Sequence, residues 1–150
     1  YVHTNLIARD WRALADFYTR VFGCECVPPE RDYRGPTLDA GLGLTDAHLT
    51  GAHLRLPGCG ADGPTLEIYH YDTLLAMPLP SVNQPGYGHL AFEVADVLAA
   101  QAEVLAGGGG MVGEVVTLTT KTGARVTMCY ARDPEGNIIE LQSWQPAPAV

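Results

Sequence analysis

The sequence predicts an α+β domain in which one pattern, a strand, a helix and several further strands, occurs twice. The chain has 150 residues, the usual length of a single domain. Apolar residues make up 47% of it and charged residues 17%, as in folded globular proteins. Two segments share the same spacing, since His3 and His89 are each followed by an aspartate, Asp10 or Asp96, seven residues later.

The first copy begins with a strand over residues 2–7, where apolar and polar residues alternate loosely. Asp10 can accept backbone hydrogen bonds at the start of a helix, and apolar residues follow at helical spacing from Trp11 to Phe22. Gly23 is well placed to end this helix. Turn residues then separate two strand-like stretches, which predict strands around 51–56 and 65–71.

Two segments outside this pattern are predicted to be irregular. Residues 28–49 are rich in Gly, Asp and Thr and show poor periodicity, so we expect an insertion that forms a surface excursion or a lid. Residues 74–86 contain three prolines and end in glycine, which indicates a linker between the two copies.

The second copy repeats the order of the first. A strand is predicted over residues 89–94, and Asp96 can cap a helix whose apolar residues keep helical spacing to Leu105. The glycine run 107–110 ends that helix, and it does not form a phosphate loop because it follows a helix and lacks a Gly-Lys-Ser/Thr ending. Further strands are predicted around 113–119, 124–130 and 137–143.

Charge and composition exclude several classes of partner. Nine basic against seventeen acidic residues give a net charge of -8, which argues against nucleic acid as a partner. No uncharged apolar stretch approaches the ~20 residues that cross a bilayer, and no secretion signal pattern opens the sequence. We therefore expect a cytoplasmic protein without a membrane partner. Its four scattered cysteines are expected to be reduced thiols that fill apolar space: Cys24, Cys26, Cys59 and Cys129.

Each copy also carries one histidine and one glutamate of the kinds that bind metals. His3 and His89 lie in the first strands, and Glu67 and Glu140 lie in the last strands. Both glutamates are flanked directly by apolar residues, so strand alternation turns their carboxylates away from the apolar core. A lone residue of this kind is usually a solvated surface group. Four of them at matching positions of two copies instead predict a site for a divalent metal.

Several motifs together carry a family resemblance. They are His-Thr-Asn-Leu at 3–6, Val-Phe-Gly at 21–23, Leu-Glu-Ile-Tyr at 66–69, Gly-Tyr-Gly-His-Leu-Ala-Phe-Glu-Val at 86–94 and Arg-Asp-Pro-Glu-Gly-Asn-Ile-Ile-Glu-Leu at 132–141. The last is the most specific, because Asp-Pro-Glu-Gly-Asn forms a tight turn that leads into the strand of Glu140. Over essentially the whole chain, these motifs resemble the vicinal oxygen chelate superfamily, also called the glyoxalase/bleomycin resistance/dioxygenase fold.

The resemblance implies a fold and a domain organisation. The fold is a pair of βαβββ modules that form a cupped mixed sheet around a metal site. The whole chain, residues 1–150, is then one domain of this superfamily. Its first module covers residues 1–73 with the insertion 28–49, the linker covers 74–86, and the second module covers 87–150. By analogy with the family, the protein is expected to form a homodimer.

The resemblance also implies a metal site and a reaction. His3, Glu67, His89 and Glu140 would bind one divalent metal, with Zn, Ni, Co, Mn and Fe(II) all open, in a ligand set that resembles bacterial glyoxalase I type lyases. Two positions of an octahedral ion then remain for substrate oxygens. A polarised carbonyl and a shift of the adjacent proton through an enediolate describe a lyase or isomerase. Glu140 is the expected base, with Glu67 as its partner.

Other functions of the fold stay open. They are a methylmalonyl-CoA epimerase-like isomerase, an Fe(II) extradiol-type dioxygenase and a non-enzymatic protein that binds a small molecule or an antibiotic. Glyoxalase I enzymes commonly carry a basic residue at the position of Ile7 and an asparagine at the position of Tyr71, and both residues help to hold glutathione. These departures favour another small-molecule substrate with neighbouring oxygens.

Aromatic residues near the glutamates are candidates for substrate contacts. Alternation from Glu67 places Tyr69 and Tyr71 on its face of the strand and His70 on the other face, so the tyrosines are preferred. Trp144, just beyond Glu140, could close one side of the pocket, although it and Trp11 are expected mainly to pack in the core. Two further histidines, His48 and His53, are expected at loop or strand surfaces.

Overall fold

The structure, a computed structural model, describes residues 1–148 and divides the chain into two compact units, Tyr1–Met77 and Pro78–Val150. Over the described residues it contains three helices and two mixed sheets, one sheet in each unit. The predicted α+β class is confirmed, because each unit follows the order strand, helix and further strands.

The first unit contains six elements, which are β1 (His3–Ile7), α1 (Trp11–Phe22), β2 (Glu25–Arg34), α2 (Pro36–Leu42), β3 (His48–Arg55) and β4 (Thr65–Tyr71). Its sheet has the order β1-β4-β3-β2, in which β1 and β4 are parallel and the other pairs are antiparallel. Helix α1 packs on β3 and β4. The core of this unit is built from apolar side chains of these elements, including Leu14, Phe17, Tyr18, Leu54, Leu66 and Ile68.

Both ends of α1 are those that the sequence predicts. The Asp10 carboxylate accepts a hydrogen bond of 3.0 Å from the backbone N–H of Ala13. Gly23 adopts a left-handed conformation with φ of 71° and donates its N–H to the carbonyl of Thr19. The helix therefore has a fixed entry directly after β1, and it covers one face of the sheet.

The prediction for residues 28–49 is wrong. This segment contains most of β2 and all of α2, so it supplies the first of the three strands that follow α1 in the first unit. The sequence shows no strand-like alternation here, because Pro28 and Pro29 interrupt the strand and its pairing with β3 shifts between Val27 and Arg31. Prolines and bulges are tolerated here because β2 is at the edge of the sheet.

The second unit contains β5 (Leu90–Glu93), α3 (Val97–Ala106), β6 (Gly110–Met111), β7 (Val116–Thr119), β8 (Arg125–Arg132) and β9 (Ile138–Gln145). Strands β5 and β9 are parallel, and β9 pairs with β8. The short β6 and β7 pair with different parts of β8. As predicted, the Asp96 carboxylate caps α3, and it accepts hydrogen bonds from the N–H groups of Leu98 and Ala99.

Two boundaries in the second unit differ from the prediction. His89 immediately precedes β5 instead of lying within it. The predicted strand 113–119 begins only at Val116, and the end of the glycine run forms the first residue of β6. Glycines carry no side-chain pattern, so the sequence gives no signal for a strand there.

The Asp-Pro-Glu-Gly-Asn segment forms the predicted tight turn between β8 and β9. Asp133 is buried, and its carboxylate accepts hydrogen bonds from the backbone N–H groups of Glu135 and Asn137 and from the Asn137 side chain. Buried carboxylates are favourable only when such donors satisfy them. The turn therefore fixes the start of β9, the strand that carries Glu140.

The cysteines are all free thiols, but only two of them fill apolar space. Cys24 and Cys129 are buried, whereas Cys26 and Cys59 are exposed, contrary to the prediction for those two. Burial raises the pKa of the Cys24 thiol to about 11, so this side chain stays protonated and unreactive. Among residues 1–148, no helix is both long enough and apolar enough to cross a bilayer.

Candidate metal centre

In the first unit, two parallel strands bring the predicted histidine and glutamate together. On the parallel strands β1 and β4, His3 pairs with Thr65 and Asn5 pairs with Glu67. Glu67 lies two residues beyond the partner of His3, so the two side chains are diagonal neighbours on the same face of the sheet. The distance from His3 Nε2 to Glu67 Oε2 is 3.3 Å. The residues on either side of Glu67 are buried in the core of the unit, which leaves its carboxylate on the other face of β4.

The second unit repeats this arrangement. On β5 and β9, Leu90 pairs with Ile139 and Ala91 pairs with Glu140, and His89 stands just before this register begins. The distance from His89 Nε2 to Glu140 Oε2 is 2.9 Å. Each unit therefore joins its own predicted histidine to its own predicted glutamate, although the two residues are distant in the sequence.

Glu67 has several polar partners beyond His3. Asn5 Nδ2 donates to Glu67 Oε2 over 3.3 Å, and the Tyr69 hydroxyl donates to Oε1 over 3.3 Å. His53 Nε2 lies 2.9 Å from the same Oε1 and 2.9 Å from the Tyr69 hydroxyl oxygen. Within the first unit, the carboxylate thus lies at the centre of a polar cluster on the face of the sheet that α1 does not cover.

His53 lies on strand β3, on the face that α1 does not cover, but its side chain belongs to this cluster, a role that the sequence alone does not assign to it. His53 on β3 pairs directly with Glu67 on β4, and directly paired residues share a face of the sheet. The apolar neighbours of His53 indicate the face of the strand on which it lies, but not the partner that it contacts there. His53 lies between Ala52 and Leu54, which are both buried, so alternation turns it toward the face of Glu67.

Burial shapes the protonation of these groups. It lowers the pKa of His53, an effect that the nearby Glu67 carboxylate partly offsets, and so favours the neutral imidazole. Burial, followed by the charge of Glu67, raises the pKa of Tyr69 to about 12. The same two causes raise the pKa of Tyr71. Both phenols therefore keep their protons near neutral pH and can act as hydrogen-bond donors.

The other predicted residues fall on both sides of the first sheet. Tyr69 and Tyr71 share the face of Glu67, as alternation predicts, whereas His70 Nδ1 lies 3.1 Å from the carbonyl oxygen of Ala8. His48 contacts Asp32 and Asp72, which makes it part of a separate ionic group.

The two tryptophans differ from each other. Trp11 is buried as predicted. Trp144 is 46% exposed, so the expectation that it packs in the core is wrong. Alternation along β9 places it on the same face as Glu140, and its Nε1 donates to the side chain of Gln142. An exposed indole on the face of Glu140 is available for a ligand.

The donor chemistry of the two pairs suits a divalent cation, since imidazole nitrogens and carboxylate oxygens are ligands for borderline and hard metals. The side chains of Glu67 and Glu140 are 11% and 15% exposed, and the imidazoles within 3.3 Å of their carboxylates among the described residues are those of His3, His53 and His89. Within residues 1–148, no group of three or more His, Cys, Asp or Glu side chains is arranged to hold a metal ion. Each unit thus offers a pair of donors and not a full ligand set.

A comparison with protein families decides the identity of the fold. The model of the Glyoxalase/Bleomycin resistance protein/Dioxygenase superfamily matches residues 1–141. The chain belongs to this superfamily. The resemblance that the sequence motifs carry is therefore confirmed, whereas membership of the glyoxalase superfamily leaves the reaction open.

Solved structures of the glyoxalase superfamily agree with the fold. A glyoxalase family protein from Bacillus cereus is 19% identical with a TM-score of 0.81, and the match covers 97% of this chain and 94% of that one. A glyoxylase/bleomycin resistance protein/dioxygenase domain from Frankia is 18% identical with a TM-score of 0.60, over 99% and 93% of the two chains. A glyoxalase I mutant from Zea mays is 18% identical with a TM-score of 0.64, over 95% of this chain and 45% of that chain. No curated protein matches the sequence.

Proposed function

We propose that this protein is a metal-dependent lyase or isomerase of the glyoxalase I-like type. The observation that supports the proposal best is the repeated His–Glu pair. In each unit a histidine at the first strand meets a glutamate of the parallel last strand, with nitrogen–oxygen distances of 3.3 and 2.9 Å. Membership of a superfamily that includes metal-dependent enzymes supports the same reading.

The residues present fit a divalent metal. Largely buried carboxylates need partners that offset the loss of solvation, and here the basic partners among the described residues are imidazoles instead of lysine or arginine side chains. Imidazole is also the commonest metal ligand among side chains. We propose that His3, Glu67, His89 and Glu140 are the ligands, and that the metal is one of Zn, Ni, Co, Mn or Fe(II).

A bound divalent ion would supply Lewis-acid polarisation of a substrate carbonyl. Glu140 is the proposed base, which accepts the proton from the carbon next to that carbonyl, and Glu67 is its proposed partner in proton transfer. Return of the proton to the neighbouring carbon gives an isomer, and return to the same carbon gives an epimer. Tyr71, which stays protonated, would donate a hydrogen bond to the substrate. Tyr69, whose hydroxyl donates to Glu67, would contact the substrate through its hydroxyl oxygen, and Trp144 would provide an apolar wall.

The remaining parts of the proposal concern the substrate and the assembly. Ile7 and Tyr71 stand where glyoxalase I enzymes commonly carry residues that hold glutathione, so we propose a different small molecule with neighbouring oxygens. We further propose that residues 1–150 form one domain of the superfamily, which works as a homodimer in the cytoplasm, without a nucleic acid or membrane partner.

Metal content tests the proposal first. Plasma mass spectrometry on untagged protein purified without chelators is expected to find about one transition metal ion per chain. His89→Ala should lose most of it, because it removes one ligand from an already minimal set. Glu140→Gln should retain metal, since the amide oxygen remains a ligand, but should lose the base. The matched control is His48→Gln, which changes a histidine outside the cluster and should keep the metal.

The same measurement contains the results that would overturn the proposal. Wild-type protein that is metal-free and takes up no added Ni, Zn, Co, Mn or Fe would leave a small-molecule binding protein as the function. Iron in the wild-type protein, together with oxygen uptake in the presence of a catechol, would favour an extradiol-type dioxygenase instead.

A further inference from the structure

The two proposed metal-binding glutamates stand at equivalent places in their units but have different surroundings. Around Glu67, the neighbouring strands carry Asn5 on β1 and His53 on β3, each paired directly with Glu67. Both of these side chains contact the carboxylate, as does Tyr69 two residues further along β4. Glu67 therefore has polar partners on both sides and along its own strand.

Around Glu140, the same three positions carry other residues. Ala91 on β5 and Tyr130 on β8 pair directly with Glu140, and Gln142 follows two residues later on β9. Alanine has no donor to offer. The ring of Tyr130 packs against His89 with centroids 5.1 Å apart, and the Gln142 side-chain oxygen accepts a hydrogen bond from Trp144. Among the described residues, the imidazole in contact with Glu140 is that of His89, with Nε2 2.9 Å from Oε2.

A glycine makes room for the cluster around Glu67. Gly51 on β3 pairs with Tyr69, and a Cβ at this position would lie 2.3 Å from Cδ1 of the Tyr69 ring. The ring therefore lies over the glycine and brings its hydroxyl within 2.9 Å of His53 Nε2. In the second unit the corresponding pair is Met128 with Gln142, which offers no such opening.

The contact of His53 Nδ1 indicates which ring nitrogen carries the proton. Thr65 Oγ1 lies 3.4 Å from His53 Nδ1, and a hydroxyl that donates to Nδ1 leaves the imidazole proton on Nε2. The Nε2–H group then donates to Glu67 Oε1, which also accepts from Tyr69. Oε1 thus accepts from two donors, whereas Oε2 accepts from Asn5 and keeps its second lone pair for the side of His3.

We infer that His53 is a positioning residue, which holds Glu67 in one orientation with Oε2 presented to the metal. The two glutamates then have different tasks. Glu67 is the fixed carboxylate, and Glu140, which receives no equivalent hydrogen bonds from residues 1–148, is the carboxylate that can turn to take a proton. The inference rests on the proposed function, since it assigns roles within the same metal site.

Co(II) binding tests the inference without any substrate. Chelator-treated protein is titrated with Co(II), and the dissociation constant and the visible absorption spectrum are recorded. The decisive pair of variants is His53→Leu and His53→Gln, which have similar volumes, but only glutamine keeps an N–H donor. Residues that orient metal ligands typically contribute about 10–100-fold to affinity, so His53→Leu should bind Co(II) weaker by about that factor and His53→Gln should recover most of the loss.

The spectrum at saturating Co(II) separates a positioning role from direct ligation. Band positions equal to those of wild type in both variants are expected, because the metal keeps the same ligands. His48→Gln is the control, with a histidine on the same strand but outside the cluster, and it should bind as wild type does.

Each contrary result has a distinct meaning. His53→Leu with an affinity within about twofold of wild type overturns the positioning role while leaving the proposed function intact. Shifted bands in both His53 variants at saturation also overturn it, since His53 would then be a ligand itself. Wild-type protein that fails to bind Co(II) overturns the proposed function, and the inference falls with it.

Discussion

Gly51 is a residue at which a single hydrogen atom in place of a side chain decides the local structure. A Cβ there would lie 2.1 Å from the carbonyl oxygen of Ile68 and 2.3 Å from the Tyr69 ring. Both distances are far below van der Waals contact, and the first involves backbone that has little freedom to move. The position of the Tyr69 hydroxyl beside Glu67 therefore depends on this glycine.

Gly51→Ala should destabilise the protein by about 1–3 kcal/mol, the usual cost of forcing extra atoms into a packed site. The free energy of unfolding in urea measures the loss. Gly41→Ala is the matched control, because Gly41 lies in α2 with nothing within 4 Å of an added Cβ. It should be neutral or stabilising by up to about 1 kcal/mol, as alanine favours helices. Equal effects at the two positions would contradict the steric argument.

The sequence could indicate some residues of the candidate site and not others. His3, Glu67, His89 and Glu140 stand out because each has a counterpart in the other copy of the pattern. His53 has no such counterpart, because Tyr130 takes the equivalent place in the second copy. Comparison of the two copies therefore does not single out His53. Its contact with Glu67 depends on strand register, which the sequence does not give.

At the scale of elements, His48 joins three parts of the first unit. His48 begins β3, and its Nε2 lies 2.9 Å from Asp32 on β2, while its Nδ1 lies 3.0 Å from Asp72, just after β4. These hydrogen bonds, with Asp72 the larger cause and Asp32 next, raise the pKa of His48, although desolvation and then the Arg34 guanidinium beside the ring oppose them. Protonation therefore strengthens the connection between these strands.

Stability should consequently depend on pH near neutrality. The folded pKa of His48 is raised, so its contribution is fully present below the unfolded pKa of about 6.5 and is lost as pH rises through the folded pKa. Urea unfolding of wild type and His48→Gln across pH 5 to 9 measures this contribution. The difference in stability between the two proteins should shrink as pH rises, and a difference that is constant or grows with pH would contradict the assignment.

Regular elements of the fold could be predicted and irregular ones could not. Strand β4 and helix α1 match the predicted residues because alternation, helical spacing and end signals agree along each of them. Strand β2 carries no clear alternation, because two prolines and a change of register interrupt it, and its pairing partner β3 lies elsewhere in the sequence. Pairing with β3 defines β2 as a strand, and that information is not local.

At the scale of the whole molecule, a metal that binds the folded chain should raise its stability. A ligand that binds only the native state stabilises it by about 2.7 kcal/mol at a concentration 100 times its dissociation constant. Adding Ni(II) or Co(II) to chelator-treated protein should therefore raise the melting temperature measured by scanning calorimetry, and excess EDTA should reverse the shift.

Variants connect that thermal shift to the proposed ligands. His3→Ala and His89→Ala should each remove most of the shift, although they alter different units of the chain. His48→Gln should keep it. A shift of full size in both ligand variants would mean that the metal binds elsewhere on the protein.

The irregular edge strand β2 also limits how copies of this chain can associate through their sheets. Pro28 and Pro29 carry no N–H group, and the bulge between Val27 and Arg31 bends the strand that forms the edge of the first sheet. A strand of another molecule that paired with this edge would lack backbone N–H donors at the two prolines and would meet charged side chains just after them. The edge therefore opposes the growth of one continuous sheet from molecule to molecule, which protects the protein against β-aggregation on this side.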